Sequence, residues 1–299
     1  MKVGSRLIPR SEATVACLRV ARRIRRCTAG FTRLDMLAVL ATSFVLASVG
    51  FPSLGSTHNR SELAVCMANQ RQLVQASLMY GQDYRDAILP PTFTTSDGET
   101  IFLVGGGFWA GPSPDINVGM TRAIALDTIR KGLLRGPLWL YTRSADVYHC
   151  PGDQRVIVTK PGSIGWGYDS YSKPETMGDG GFNSIRPFRR IAEVPDPALA
   201  FLFCEEADPR GSNIGTWVLS VKDPGWVDGF GAFHDGGAQF AFLDGHVDFN
   251  RWRDPRTLKV AKDLTRGLSA FNAPGGNSKN PDFRWVYDRF RFVGWKPLP

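Results

Sequence analysis

Residues 30–52 read GFTRLDMLAVLATSFVLASVGFP. A basic stretch ends at Gly30, Phe31 and Thr32 follow, and an acid, Asp35, stands four residues after Phe31. Residues 36–51, sixteen in all, carry no formal charge, and Pro52 closes the run. A soluble core has no need of that order. A spanning helix requires roughly 17–25 mostly apolar residues, so the run suffices if Asp35 lies near one end. Ahead of it stand Arg19, Arg22, Arg23, Arg25 and Arg26. Positive charge before a span keeps the N-terminus in the cytoplasm and sends the rest of the chain outside. The expectation is a basic leader at 1–30 and an apolar transmembrane or assembly helix at 31–52.

Other processing routes are open on pattern alone. Small residues at Ala47 and Gly50 offer ordinary signal-peptide sites. The pairs Arg22-Arg23 and Arg25-Arg26 form a weak twin-arginine signal, while Cys27 precedes the apolar run and so does not suit a lipoprotein. The simplest alternative is an uncleaved signal anchor.

Gly30-Phe31-Thr32, Asp35 and the apolar run together resemble the prepilin-type cleavage and methylation segment of type IV pilins and type II secretion pseudopilins. The resemblance implies cleavage between Gly30 and Phe31 by a prepilin peptidase and methylation of Phe31. It also implies a single-pass protein of the inner membrane with its head outside the cytoplasm. Asp35 would be the assembly carboxylate, matched by the N-terminal amine of a homologous neighbouring subunit. The physical logic is plain, because a carboxylate in apolar surroundings is costly unless paired. The chain departs from the family pattern in three ways: Asp35 is one methylene shorter than the usual Glu, Arg33 is charged where Leu is usual, and the leader is long. Pro52 matches a family position where the helix kinks, as proline removes one helical hydrogen bond.

At 299 residues, with 43% hydrophobic and 11% aromatic content, the chain holds a folded body of roughly 200 residues beyond the leader and helix. The formal charge of +8 is concentrated at the start. Residues 1–30 carry Lys2, Arg6, Arg10 and the five arginines above against Glu12, leaving the mature chain near +1. That excludes a nucleic-acid partner recognised by bulk charge. Cys17 and Cys27 leave with the leader; Cys66, Cys150 and Cys204 remain. An odd number in an exported chain allows one bridge and one free thiol. The expected bridge is Cys66–Cys150, tying stem to head, with Cys204 a buried thiol; three reduced cysteines are the alternative.

Residues 53–89 read as an amphipathic stem helix, with Leu63, Cys66, Met67, Leu73, Val74, Leu78 and Met79 at three- and four-residue spacings. Pro90-Pro91 would stop it. The head, 90–299, offers a weak strand at 101–104, a helix near 123–131, strands at 191–194 and 200–204, and a helix at 255–266. Segments 230–233, 238–243 and 246–252 read as a three-strand meander, with Asp244-Gly245 as a two-residue turn. That turn would place Phe242 opposite Val247 and Phe240 opposite Phe249. The fold class expected is α+β: a long N-terminal helix packed on a mostly antiparallel sheet, pilin-like.

His234 and the pair Asp244-Gly245 are separated by nine residues. With Cys150-Pro151-Gly152-Asp153, this H-x9-DG block is similar to the terminal block of a large set of bacterial pseudopilin-like proteins. That family carries no assigned enzymatic activity, so no catalytic residue is expected. Metal-ligand types do occur. His234, Asp235, Asp244, His246 and Asp248 form one group; Glu205, Glu206 and Asp208 form an acidic one suited to a structural calcium. An anchored hydrolase would need His234, Asp244 and His246 to converge. A signal-anchored extracytoplasmic binding module that never polymerises is the main alternative function.

Overall fold

The computed structural model describes residues 32–90, 92–94, 98, 100–102, 115–178, 182–209, 216–268 and 272–299, with side chains described for all of these except 45–59, 92–94 and 100–102. Gly30 and Phe31 lie outside the described residues. In chain order the helices are α1 (Arg33–Asp83), α2 (Arg122–Leu134), α3 (Trp139–Thr142), α4 (Arg155–Val158), α5 (Pro255–Thr265) and α6 (Pro281–Tyr287). The strands are β1 (Thr92–Thr94), β2 (Thr100–Phe102), β3 (Tyr171–Ser172), β4 (Phe201–Glu205), β5 (Leu219–Ser220), β6 (Gly225–Trp226), β7 (Gly237–Phe242) and β8 (Val247–Arg251).

The chain divides into two compact units, one through Ser56 and one from Thr57 onward. In the first, α1 starts on a reciprocal cap. Thr32 Oγ1 accepts the Asp35 N–H at 3.2 Å, and Asp35 Oδ2 accepts the Thr32 N–H at 2.9 Å and its hydroxyl at 2.7 Å. This capping box satisfies two of the helix's orphan donors. Leu34, Met36, Leu37, Val39, Leu40 and Phe44 are all exposed. Among the described residues no helix is long and apolar enough to cross a membrane.

In the second unit α1 buries Cys66, Gln70, Leu73, Val74, Ser77 and Tyr80 along one stripe. The helix ends before the expected proline stop, because Arg85 and Asp86 adopt φ of 56° and 67°. The main sheet has the order β3-β4-β7-β8 and is antiparallel throughout. The stem covers one face: Gln239 Nε2 on β7 donates to the Leu63 carbonyl at 3.3 Å, and Tyr171 on β3 reaches Cys66. Aromatic rings cover the other, with Phe240 packed edge-on against Phe201, Trp252 and Trp285 at centroid distances of 5.3, 6.3 and 5.0 Å. Each such ring stabilises the fold by about 1.5–3 kcal/mol through burial, and ring pairs add about 0.5–1.5 kcal/mol.

Several expectations are corrected. The β7–β8 register is shifted by one: Phe240 faces Asp248, Ala241 faces Val247 and Gln239 faces Phe249. The cause is the turn. Phe242 donates its N–H to His246 and accepts from the Gly245 N–H, both at 2.9 Å, with Gly245 at φ 96°. That is a three-residue loop with a glycine bulge rather than a two-residue turn. Both faces of β7 are buried, so apolar alternation carried no register information there. Segment 230–233 is not a strand, and the meander reduces to a hairpin. Residues Ile191–Glu193 form a 3₁₀ turn instead of a strand, because the Glu193 carboxylate accepts the Arg189 and Arg190 N–H groups and closes the chain on itself.

Candidate functional site

Four buried side chains from distant segments meet under the stem helix. Cys66 comes from the buried stripe of α1, Cys150 from the turn before α4, Glu205 from the last position of β4, and His234 from the bend that enters β7. Their ligand-type atoms all lie within 4.8 Å of one another. Cys66 Sγ is 3.0 Å from Glu205 Oε1 and 2.8 Å from the Tyr171 hydroxyl. Cys150 Sγ is 3.0 Å from His234 Nε2, which lies 3.7 Å from Glu205 Oε1. The other carboxylate oxygen of Glu205 accepts the Gln239 N–H at 3.0 Å.

Local chemistry sets each arm. Asp153 N–H donates to the Cys150 carbonyl at 2.9 Å, closing the Cys-Pro-Gly-Asp turn. A Cβ at Gly152 would lie 2.7 Å from His234 Cε1, so only glycine lets the turn approach. His234 is held by a second tight turn. Gly237 N–H donates to its carbonyl at 2.9 Å, with Asp235 and Gly236 at φ 41° and 72°. The positive-φ, two-residue turn expected at Asp244-Gly245 therefore sits here instead.

Electrostatically, burial disfavours charge on every member of the cluster. Burial pushes the Cys66 thiol well up and the Cys150 thiol to about 12. Burial also raises Glu205 to about 7, against the hydrogen bonds from Cys66 and Gln239 that favour its charged form. It lowers His234 to about 4. His234 Nδ1 is buried without a hydrogen-bond partner among the described residues.

Beside the cluster, Asp153 grips the wholly buried Arg155 through Nη2–Oδ2 at 2.7 Å and Nε–Oδ1 at 3.0 Å. Arg155 also donates to the carbonyls of Asp169, Glu206 and Asp208 at 2.9, 3.2 and 3.3 Å, tying α4 to the loop before β3 and the loop after β4. Burial works to lower its pKa, and the adjoining Asp153, together with Asp169 and Asp208, outweighs that and holds it above its ordinary value.

The sequence-predicted residues thus part company. Cys66 and Cys150 do meet and do join stem to head, but as free thiols rather than a bridge, each sulfur turned to a polar partner. Glu205 belongs with them. Glu206 and Asp208 are not in that converging set, so the three-carboxylate calcium group is not assembled. Asp244 and Gly245 lie at the far end of β7 from His234. There Asp244 Oδ1 accepts the His246 N–H at 3.1 Å and contacts its Nδ1 at 2.6 Å, and the His246 ring stacks on Phe242 at 4.2 Å. His234, Asp244 and His246 do not converge. The spacing of nine is structural: it counts a two-residue turn, the six residues of β7 and the first residue of the three-residue loop that follows. Sequence reasoning missed Arg155, Tyr171 and Gln239. The Asp-x-Arg spacing after a tight turn is a signal for the first. A separate groove of about 530 Å³, sharing no residue with the cluster, is lined by Arg186, Arg190, Arg291 and Trp295 among others.

Comparison with known proteins gives no match: no family model fits the chain, and no curated protein and no solved structure is similar to it.

Proposed function

We propose that the chain is a structural, pilin-like subunit of a type II secretion or type IV pilus-like assembly. Prepilin peptidase cuts between Gly30 and Phe31, residues 31–52 hold the protein in the inner membrane, and the head lies outside the cytoplasm. The observation that carries this reading is one helix, Arg33–Asp83, starting two residues after Phe31 and burying its later part on an antiparallel sheet. The exposed apolar side chains between Leu34 and Phe44 suit lipid or a neighbouring subunit.

One observation favours the second reading, a signal-anchored binding module that does not polymerise. Thr32 already satisfies the Asp35 carboxylate within its own chain. A carboxylate so engaged has less need of a neighbour's amine. Intact mass and N-terminal sequencing of protein from its native membrane separate the two. A chain beginning at methylated Phe31 is expected. A start near Ser48 or Phe51 indicates a secreted head. An uncut chain indicates a plain anchor and removes the pilin reading.

A further inference from the structure

We propose that Cys66, Cys150, Glu205 and His234 form a closed site for one zinc-class divalent cation, which fastens the stem helix to the sheet. The inference stands apart from fibre assembly and holds whether or not the chain polymerises.

Geometry comes first. A tetrahedral ion with metal–sulfur bonds of about 2.3 Å and metal–nitrogen or –oxygen bonds of about 2.0–2.2 Å sets its donors roughly 3.3–3.8 Å apart. The donor atoms here stand 3.0 to 3.7 Å apart where they touch, and all within 4.8 Å. Shifts of a few tenths of an ångström bring them onto an ion. The four residues are 0, 0, 1 and 2% exposed in the order Cys66, Cys150, Glu205, His234. No position is left open to solvent, so the site is structural rather than catalytic.

Donor chemistry then selects the ion. Two sulfurs, one imidazole and one carboxylate suit zinc; calcium and magnesium require oxygen ligands. Supporting contacts are in place. The Gln239 N–H fixes one carboxylate oxygen of Glu205 and leaves the other facing the sulfurs, and the Tyr171 hydroxyl stands 2.8 Å from Cys66 Sγ. Such second contacts orient ligands in metal sites. A cation also gives the buried carboxylate of Glu205 and the imidazole of His234 a common partner beside two thiols. Arg155 does not serve, because Asp153 engages it. Binding exchanges the two thiol protons for the ion, M²⁺ + 2 RSH → M(SR)₂ + 2 H⁺, with no electron transfer. Coordination thereby keeps both thiols from oxidation in an extracytoplasmic head.

The test uses the full chain purified in detergent without reductant. Metal analysis is expected to give one zinc per chain. Cys66 and Cys150 become open to alkylation only after a strong chelator is added, and cobalt replacement gives the visible bands of a tetrahedral thiolate site. Cys150→Ser and His234→Ala abolish binding, whereas Cys204→Ser retains it. Tyr171→Phe keeps all four ligands and weakens zinc binding about 10- to 100-fold. If Cys150→Ser or His234→Ala fails to fold, the metal analysis and the cobalt spectrum still decide. A Cys66–Cys150 disulfide in the intact mass overturns the proposal. So does a metal-free chain whose thiols react without chelator, or zinc bound as tightly by Cys150→Ser and His234→Ala as by wild type.

Discussion

Two Asp-x-Arg pairs in this protein are near copies of one another. In each, an aspartate accepts the backbone N–H of the arginine two residues on, at 3.0 Å for Asp153–Arg155 and 2.8 Å for Asp254–Arg256. In each, Nε meets Oδ1, at 3.0 and 3.1 Å, and Nη2 meets Oδ2 at 2.7 Å. Their surroundings differ. Both side chains of the first pair are fully buried beside the four-donor cluster, whereas Arg256 is 60% exposed at the start of α5. A drawing of the bonds within each pair would score them alike. Physical chemistry does not, because a buried charge depends on its partner and an exposed one has water.

The comparison is broken most severely by Arg155→Ala. Removing the guanidinium leaves Asp153 buried and unpaired and frees the carbonyls of Asp169, Glu206 and Asp208. A loss of about 3–5 kcal/mol is expected, read as a lower midpoint in denaturant unfolding. A loss below 1 kcal/mol would show that burial does not set the value of this pair.

Gly152→Ala tests the same neighbourhood without touching a charge. The new methyl would stand 2.7 Å from His234 Cε1 and 2.8 Å from the Phe233 carbonyl oxygen. Overpacking of that kind costs about 1–3 kcal/mol. Unfolding measured beside wild type checks it, and a neutral result would mean that the turn at Cys150 can retreat from His234.

What the sequence disclosed follows the same division between local and distant causes. The strand at β4, the hairpin of β7 and β8, and helices α2 and α5 were legible because each is written in adjacent residues. The hairpin register slipped because a three-residue loop replaced a two-residue turn, and Phe240 and Gln239 are buried on opposite faces. At the site, the residue types were visible and their company was not. Cys66 and Cys150 were legible as a pair that meets in space, and the structure holds them as thiols, the alternative to the expected bridge; Glu205 was grouped with its neighbours Glu206 and Asp208. β4 ends at Glu205, and Glu206 and Asp208 fall in the segment beyond it, so adjacency in sequence did not carry a shared site. Local rules likewise describe Asp153-x-Arg155 and Asp254-x-Arg256 equally well; burial is decided by residues more than fifty positions away.

Arg256→Ala is the exposed counterpart of Arg155→Ala, and little or no fall in the thermal unfolding midpoint is expected. A loss approaching that of Arg155→Ala would erase the distinction between the pairs.

The smallest effect is a pH dependence at Asp254. The Arg256 side chain, with the backbone N–H groups that Asp254 caps at the start of α5, lowers its carboxyl to about 2 from an ordinary 3.8. A carboxyl depressed in the folded state contributes stability above its unfolded pKa and loses that contribution as pH falls through the folded one. Asp254→Asn isolates the charge, because asparagine also caps helices well. Wild type should therefore exceed Asp254→Asn in melting temperature at pH 5, with the gap closing between pH 4 and pH 2. The gap should correspond to no more than about 1 kcal/mol, and 1 M salt should shrink it because the Debye length there is about 3 Å. A gap that survives at pH 2 and in high salt would locate the difference in the cap geometry and not in the charge, and Asp254 would then owe its place to the turn it closes.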